Sequence, residues 1–310
     1  MSIAEGSLVR LAHIPEVTIG TIPATPAWQI ARWVSADFGP SKQTETPDEV
    51  RPDGNGVAPV DVGQTTGGNI NCLLSYGTFD DWLASLFRQA WATNVLVNGT
   101  ADRALAFEEF YEQGATDTFI RHPGCRINTL DITLEAKKSV QANFGIMGLE
   151  TLAPASAIIA GATYVAATET EVFNSALNVA DLEISGITNS PVIQRMNLRI
   201  SSNVYDNDAV GRRGTYQHGK GKFVVSGSIL AYFETQDTYE AARAHTTVGL
   251  SWSLGDAAGN SYLFEIPKNK LMDGKVTKPG NGRAVMVDAP FQGFVDAGIG
   301  GTMKITRTPA

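Results

Sequence analysis

The sequence predicts a mainly β protein, a β-rich α+β chain built as two tandem halves, each with one short flanking helix. Three observations carry this. The 310 residues include 31 glycines and 14 prolines, which supply many turns and favour short strands over long helices. Residues 127–134 and 140–149 alternate, with Leu130, Ile132 and Leu134, then Val140, Ala142, Phe144 and Ile146, on one face, as in a hairpin with one apolar side. A strand-to-helix unit occurs twice, at residues 68–87 (GNINCLLSYGTFDDWLASLF) and 225–244 (VSGSILAYFETQDTYEAARA).

The first copy of that unit organises the rest. Ile70, Cys72 and Leu74 point one way and Asn69, Asn71 and Leu73 the other, so the period of two reads as a half-buried strand. At Thr78 the period changes: Phe79, Trp82, Leu83 and Leu86 recur at helical spacing. Asp80 and Asp81 fall in the first turn, where the helix dipole favours carboxylates, and Thr78 is the expected N-cap. In the second copy Thr235, Asp237 and Tyr239 stand where Thr78, Asp80 and Trp82 stand in the first.

Length and charge bound the function. A chain of this size has room for about two domains. Its formal net charge of −8 makes it a poor candidate for gripping a phosphate backbone, which requires Lys and Arg. Cys72 and Cys125 are too few for a disulfide framework, and Cys72, in an apolar strand, reads as a small core residue. The opening MSIAEGSLVR lacks a basic stretch leading into an apolar run, and no apolar stretch approaches the ~18 residues of a membrane span. The expectation is a soluble protein made in the cytoplasm, with no membrane partner.

Taken in order, residues 1–24 read as an arm, because Pro15 and Pro23 interrupt it. A strand follows around Trp28 and Ile30, with Trp33, Val34 and Phe38 beyond. Residues 39–67, rich in Pro, Gly, Asp and Thr with little apolar periodicity, read as one long loop, a length that usually signals function. After the first helix come a turn at Asn98-Gly99, strands at 104–111 and 119–120, a turn at His122-Pro123-Gly124-Cys125, and the hairpin. Residues 150–180 turn Ala- and Thr-rich, which places a domain boundary there and divides the chain into 1–165 and 166–310. IGTIPATPAWQ (19–29) aligns with ISGITNSPVIQ (184–194), and each leads through a strand and a polar loop (the second at 203–221) into the strand-to-helix unit. The second half continues with strands around Leu250 to Leu254 and Tyr262 to Ile266, a Gly-rich loop, and a last pair holding Val287 and Phe291, then Met303 and Ile305. The shared order argues for duplication; the alternative is that strand, helix and hairpin recur by chance.

The sequence predicts no enzyme: no catalytic, cofactor-binding or metal-binding residues are assigned. His13, His122, His218 and His245 belong to no nucleophile arrangement, and there is no G-x-S-x-G elbow. His122 and Cys125 form one potential ligand pair where a structural zinc site needs two. Residues 214–220 match the start of a phosphate-binding loop, but Gly221 replaces the Ser or Thr and a strand follows. Asp206-x-Asp208 lacks the remaining calcium ligands, with Val210 and Gln217 in their places. One basic cluster stands out, Arg212, Arg213, His218, Lys220 and Lys222; it reads either as a solvated loop or as a contact for DNA or an acidic patch on another copy, and in an acidic protein a partner copy suits it better than nucleic acid. Asp48, Glu49 and Asp53, in the long loop, are the matching acidic candidates for a subunit or ring interface.

HIPEVTIGTIPATPAW (13–28), the GNINCLLSYGTFDDWLASLF unit, the hairpin at 127–149 and the GSILAYFE, GNSYLFEIPK and APFQGF stretches together resemble the tail tube proteins (major tail proteins) of long-tailed, non-contractile, siphophage-type bacteriophages. The resemblance covers nearly the whole chain. It implies tandem β-sandwich or barrel-like tube domains with a flanking helix, copies joined sheet to sheet in rings, and rings stacked into a virion tube. It implies as partners the protein itself, the tape measure and tail terminator proteins, and DNA that passes through the bore without specific binding. In relatives the bore tends to be acidic. Two such domains per chain predict a trimeric, pseudo-sixfold ring, with a plain hexamer the default if the duplication is illusory. The competing reading is a phage-associated or secreted carbohydrate-binding β-sandwich.

Overall fold

The computed structural model describes residues 3–114 and 116–310, so the first two residues of the expected arm lie outside the described ones. In chain order the strands are β1 (Arg10–Pro15), β2 (Ala27–Ile30), β3 (Ser35–Ala36), β4 (Gly39–Glu45) and β5 (Val60–Leu73), followed by helix α1 (Asp80–Leu86). Next come β6 (Val95–Val97), β7 (Leu105–Tyr111), β8 (Thr118–Glu135), β9 (Gln141–Gly148) and β10 (Thr163–Val165). The second half has β11 (Val179–Ser185), β12 (Ile193–Ser201), β13 (Val204–Asn207), β14 (Gln217–Lys220) and β15 (Val224–Tyr232), then α2 (Asp237–Arg243). It ends with β16 (Thr247–Gly255), β17 (Ser261–Leu271), β18 (Lys275–Val276), β19 (Met286–Gly293) and β20 (Lys304–Thr308). The mainly β expectation holds.

A smaller sheet runs β8–β7–β1–β2–β10, antiparallel except where β10 joins β2 in parallel. A larger one runs β5–β9–β8–β12–β15–β19–β17–β16–β11, all antiparallel. β3 and β4 pair with β5, β18 continues β17 along β19, and β20 bridges β17 to β6. The 18-residue β8 belongs to both sheets: its first half pairs with β7 and its second with β9 and β12.

Helix α1 is seated by its apolar side. Trp82, Leu83 and Leu86 are buried, and the Trp82 ring is met by Phe79, Phe107, Phe144 and His13 with centroids 4.9–5.6 Å away. Asp80 and Asp81 occupy the first turn as expected. Thr78 does not cap it: its hydroxyl bonds Ser75 and Thr168 instead, because the chain around it is buried against the 168–173 segment. The larger apolar core runs unbroken through both halves, from Ile70 and Phe144 to Trp252 and Phe291. Cys72 lies within it, and burial pushes its thiol up to about 12.

Several expectations are corrected. The segment 10–15 of the expected arm is β1, held between β7 and β2. Residues 39–67 are no loop: β4 and the first half of β5 form a hairpin around a loop at 46–59. Its polar, exposed residues show no alternation because backbone hydrogen bonds alone define it. Residues 203–221 likewise contain the β13–β14 hairpin. His122-Pro123-Gly124-Cys125 is not a turn with a surface histidine but part of β8. There the ladder to β7 shifts register, Gly124 has φ +67°, and His122 is fully buried between Glu109 (3.2 Å) and the Thr151 hydroxyl (2.9 Å). The last strands, β19 and β20, do not pair with each other; β20 pairs with β17 and with β6 of the first half.

Candidate assembly surface

The feature of interest is a continuous sheet that crosses from one half of the chain to the other. β8 and β12 pair over seven residues, from Arg195 opposite Glu135 to Ser201 opposite Thr129. Inward, Met196 faces Leu134 and Ile200 faces Leu130, all buried. Outward, Arg199 lies across from Asp131, with Nη1 3.2 Å from Oδ2. Asn128 seals one end: its Oδ1 accepts from the Val204 amide, and its carbonyl from that of Ser202. Alternation fixes the register, since a one-residue slip would send Met196 and Ile200 into water.

The outward face of this sheet is mostly polar, with Met147, Leu230 and Tyr232 among the larger apolar side chains on it. Along β5, β9, β8, β12, β15 and β19 it presents Asn71, Asn143, Asp131, Thr133, Asn197, Arg199, Ser226, Ser228 and Gln292, while the alternate residues fill the core. Its charges nearly balance: Asp131, Glu135 and Asp288 against Arg195 and Arg199. Partial burial raises the Asp131 carboxyl although Arg199 opposes this, and Lys138 at 2.8 Å lowers that of Glu135. Asp131, Ile132, Asn197 and Arg199 line a shallow groove with Ser226, Ser228, Met272 and Gln292.

The basic cluster folds back onto the first half of its own chain. Arg213 donates to Asp61 on β5 (2.9 Å), and its carbonyl accepts the Gln64 amide. Lys220 donates to the Thr100 carbonyl (2.9 Å). His218, on β14, is buried with Nδ1 2.8 Å from Asp206 on β13; burial lowers its pKa, against the pull of Asp206. Arg212 lies over the Tyr216 ring at 5.4 Å, and both Arg212 and Lys222 are exposed. Asp48 and Glu49 are exposed on the 46–59 loop, where Asp53 takes a two-pronged bond from Arg51 (2.8 and 3.0 Å) that lowers its pKa. Among the described residues no hydrogen bond or ion pair joins Asp48, Glu49 or Asp53 to the basic cluster. The β8–β12 joint escaped sequence reasoning; its signal was the apolar alternation of β12, which matches that of β8.

The sequence profile described as phage tail tube protein matches residues 6–293, nearly the whole described chain. The chain belongs to the phage tail tube protein family. As a tail tube protein it has a structural role, in a family whose members assemble into a tube and are components of the virion. Comparison with curated proteins finds no match. Among the described residues no helix is long and apolar enough to cross a membrane. Trp28, Trp82 and Trp252 are fully buried, so none of the three offers a platform for stacking a sugar.

Proposed function

We propose that this chain builds the tail tube of a siphophage-type virion as stacked rings of three copies, each copy contributing two related units, so that the ring is pseudo-sixfold. One observation carries the reading: five antiparallel pairings recur between the halves. β1–β7 corresponds to β11–β16, β3–β5 to β12–β15, β5–β9 to β15–β19, β7–β8 to β16–β17, and β8–β9 to the pairing of β17 and β18 with β19. The hairpin of β4 with the first half of β5 likewise corresponds to β13–β14. This supports duplication of a tube unit over 1–165 and 166–310, with β8–β12 already joining two units sheet to sheet.

The mostly polar outward face of that sheet is the natural lining of the bore. Asn, Ser, Thr and Gln there, with Arg199 neutralised by Asp131, offer DNA no array of free cations and hence little counterion release on contact. On this reading the DNA slides because the wall is mostly polar and nearly balanced, and the charge of −8 lies mostly elsewhere on the chain. The loop at 46–59, with Asp48, Glu49 and Asp53, and the exposed Arg212 and Lys222 reach neighbouring copies, while the tube ends meet the tape measure and tail terminator proteins. Native mass measurement of isolated rings tests the stoichiometry: three copies are expected, and six overturn the two-unit reading. Negative-stain images of concentrated protein are expected to show rings or tubes.

A further inference from the structure

Resting on the ring reading, the correspondence between the halves also names the joint between copies. Setting Thr78 on Thr235 makes Ile70 the equivalent of Gly227. Ala36 pairs with Ile70 as Leu198 pairs with Gly227, and Ser35 with Asn71 as Asn197 with Ser228, so β3 and its flanks stand where β12 stands. On the other side, Leu271 faces Phe291 as Leu130 faces Phe144, and Lys275 faces Asp288 as Thr133 faces Gln141. The end of β17 together with β18 is therefore the counterpart of the half of β8 that receives β12.

Both counterparts are open edges. Among the described residues β3 pairs with β5 alone and β18 with β19 alone, and β16 leaves β17 at Lys270. Val34 is 63% exposed and Met272 53%, whereas Met196, the equivalent of Val34, is 1% exposed under its partner strand. An exposed sheet edge carrying an apolar side chain is a template for another strand.

We propose that residues 33–38 of one copy pair antiparallel with residues 271–277 of the next, in the register of the β8–β12 joint. Ser35 then stands opposite Lys275, Val34 opposite Val276 and Phe38 opposite Leu271, so the two core-side pairs that flank Ala36 are apolar on both strands, while Ala36 itself meets the Asp273-Gly274 step, one residue longer than its counterpart in β8. Asp37, across from Met272, has Lys270 and Lys275 as diagonal neighbours on the polar face, within reach for cross-strand attraction. The two edges lie at opposite ends of the run of strands that begins at β3 and ends at β18. Joining them repeats the intrachain pattern and closes the sheet around the ring.

The test uses the full-length chain carrying Ser35→Cys with Lys275→Cys, oxidised after assembly and resolved on a non-reducing gel. Native Cys72 and Cys125 are buried, and each single variant controls for them. The expected result is a ladder ending at a covalently closed trimer, at least tenfold more abundant than with Ser35→Cys and Thr277→Cys, which share the face but not the register. A second variant, Val34→Lys, is expected to melt like the parent as an unassembled chain, since the site is exposed there, yet to form no tubes. Rings that form without the 35–275 bond, or that favour 35–277, overturn the joint and leave the ring reading standing. A parent protein that forms no ring at any concentration overturns both.

Discussion

Trp82→Ala is the sharpest test of how the first half is held together. The ring is fully buried and packed by Phe79, Phe107, Phe144 and His13. Its indole nitrogen has no hydrogen-bond partner among the described residues, so truncation removes packing and leaves no orphaned polar group. Helix α1, seven residues long, cannot collapse far into the void because both sheets hold its neighbours. The expected cost is about 3–5 kcal/mol, the range for emptying a buried aromatic site. Trp91→Ala is the comparison. That ring is partly exposed, donates to the Asp80 carbonyl at 3.0 Å and lies under Arg307 at 4.7 Å, contacts worth about 1–2 kcal/mol together. Urea denaturation of dilute, unassembled protein measures both, since assembly would add its own stabilisation. A Trp82→Ala cost below about 1 kcal/mol, or no larger than that of Trp91→Ala, would refute the claim that this ring anchors the helix to the sheets.

Two further outcomes rest on His13 and Gly124. Burial lowers His13 to about 4 from 6.5, and the Asp81 carboxylate at 3.8 Å is too distant for a hydrogen bond to offset it. The folded state then binds fewer protons than the unfolded one, so stability is full above pH 6.5 and falls as pH drops toward 4. The 2.5-unit gap corresponds to roughly 3 kcal/mol at its limit; His13→Phe should flatten that part of the stability–pH curve, and an unchanged slope would refute the assignment. Gly124→Ala should destabilise by more than about 1 kcal/mol in thermal melts, because φ is +67° and a Cβ would come within 2.5 Å of Leu149 Cγ; a neutral result would mean that the bend in β8 is not required.

Where the apolar period was regular, sequence and structure agree. Ile70, Cys72 and Leu74 face the core, α1 and α2 begin within two residues of their expected starts, and the 127–149 hairpin is the pairing of β8 with β9. Sequence and structure part where side chains carry no periodic information. Gly39–Glu45 is polar throughout, so only its backbone pairing with β5 identifies it as a strand. At residues 122–127 every side chain is buried, which erased the alternation and let Pro123 and Gly124 pass for a turn. His122 looked like a surface residue because a lone histidine beside Pro-Gly carries no sign of the Glu109 and Thr151 groups that receive it from distant parts of the chain.

By itself the sequence determined the β class, the two strand-to-helix units, their order and the residues that turn inward, because these follow from local periodicity and from where apolar side chains can hide from water. Tertiary structure alone decided that β8 serves two sheets, that β12 pairs with β8, and that β20 returns to β6. Backbone amides and carbonyls are alike in every residue, so the choice of partner strand depends on which edges the folded chain leaves open, and no local pattern encodes that.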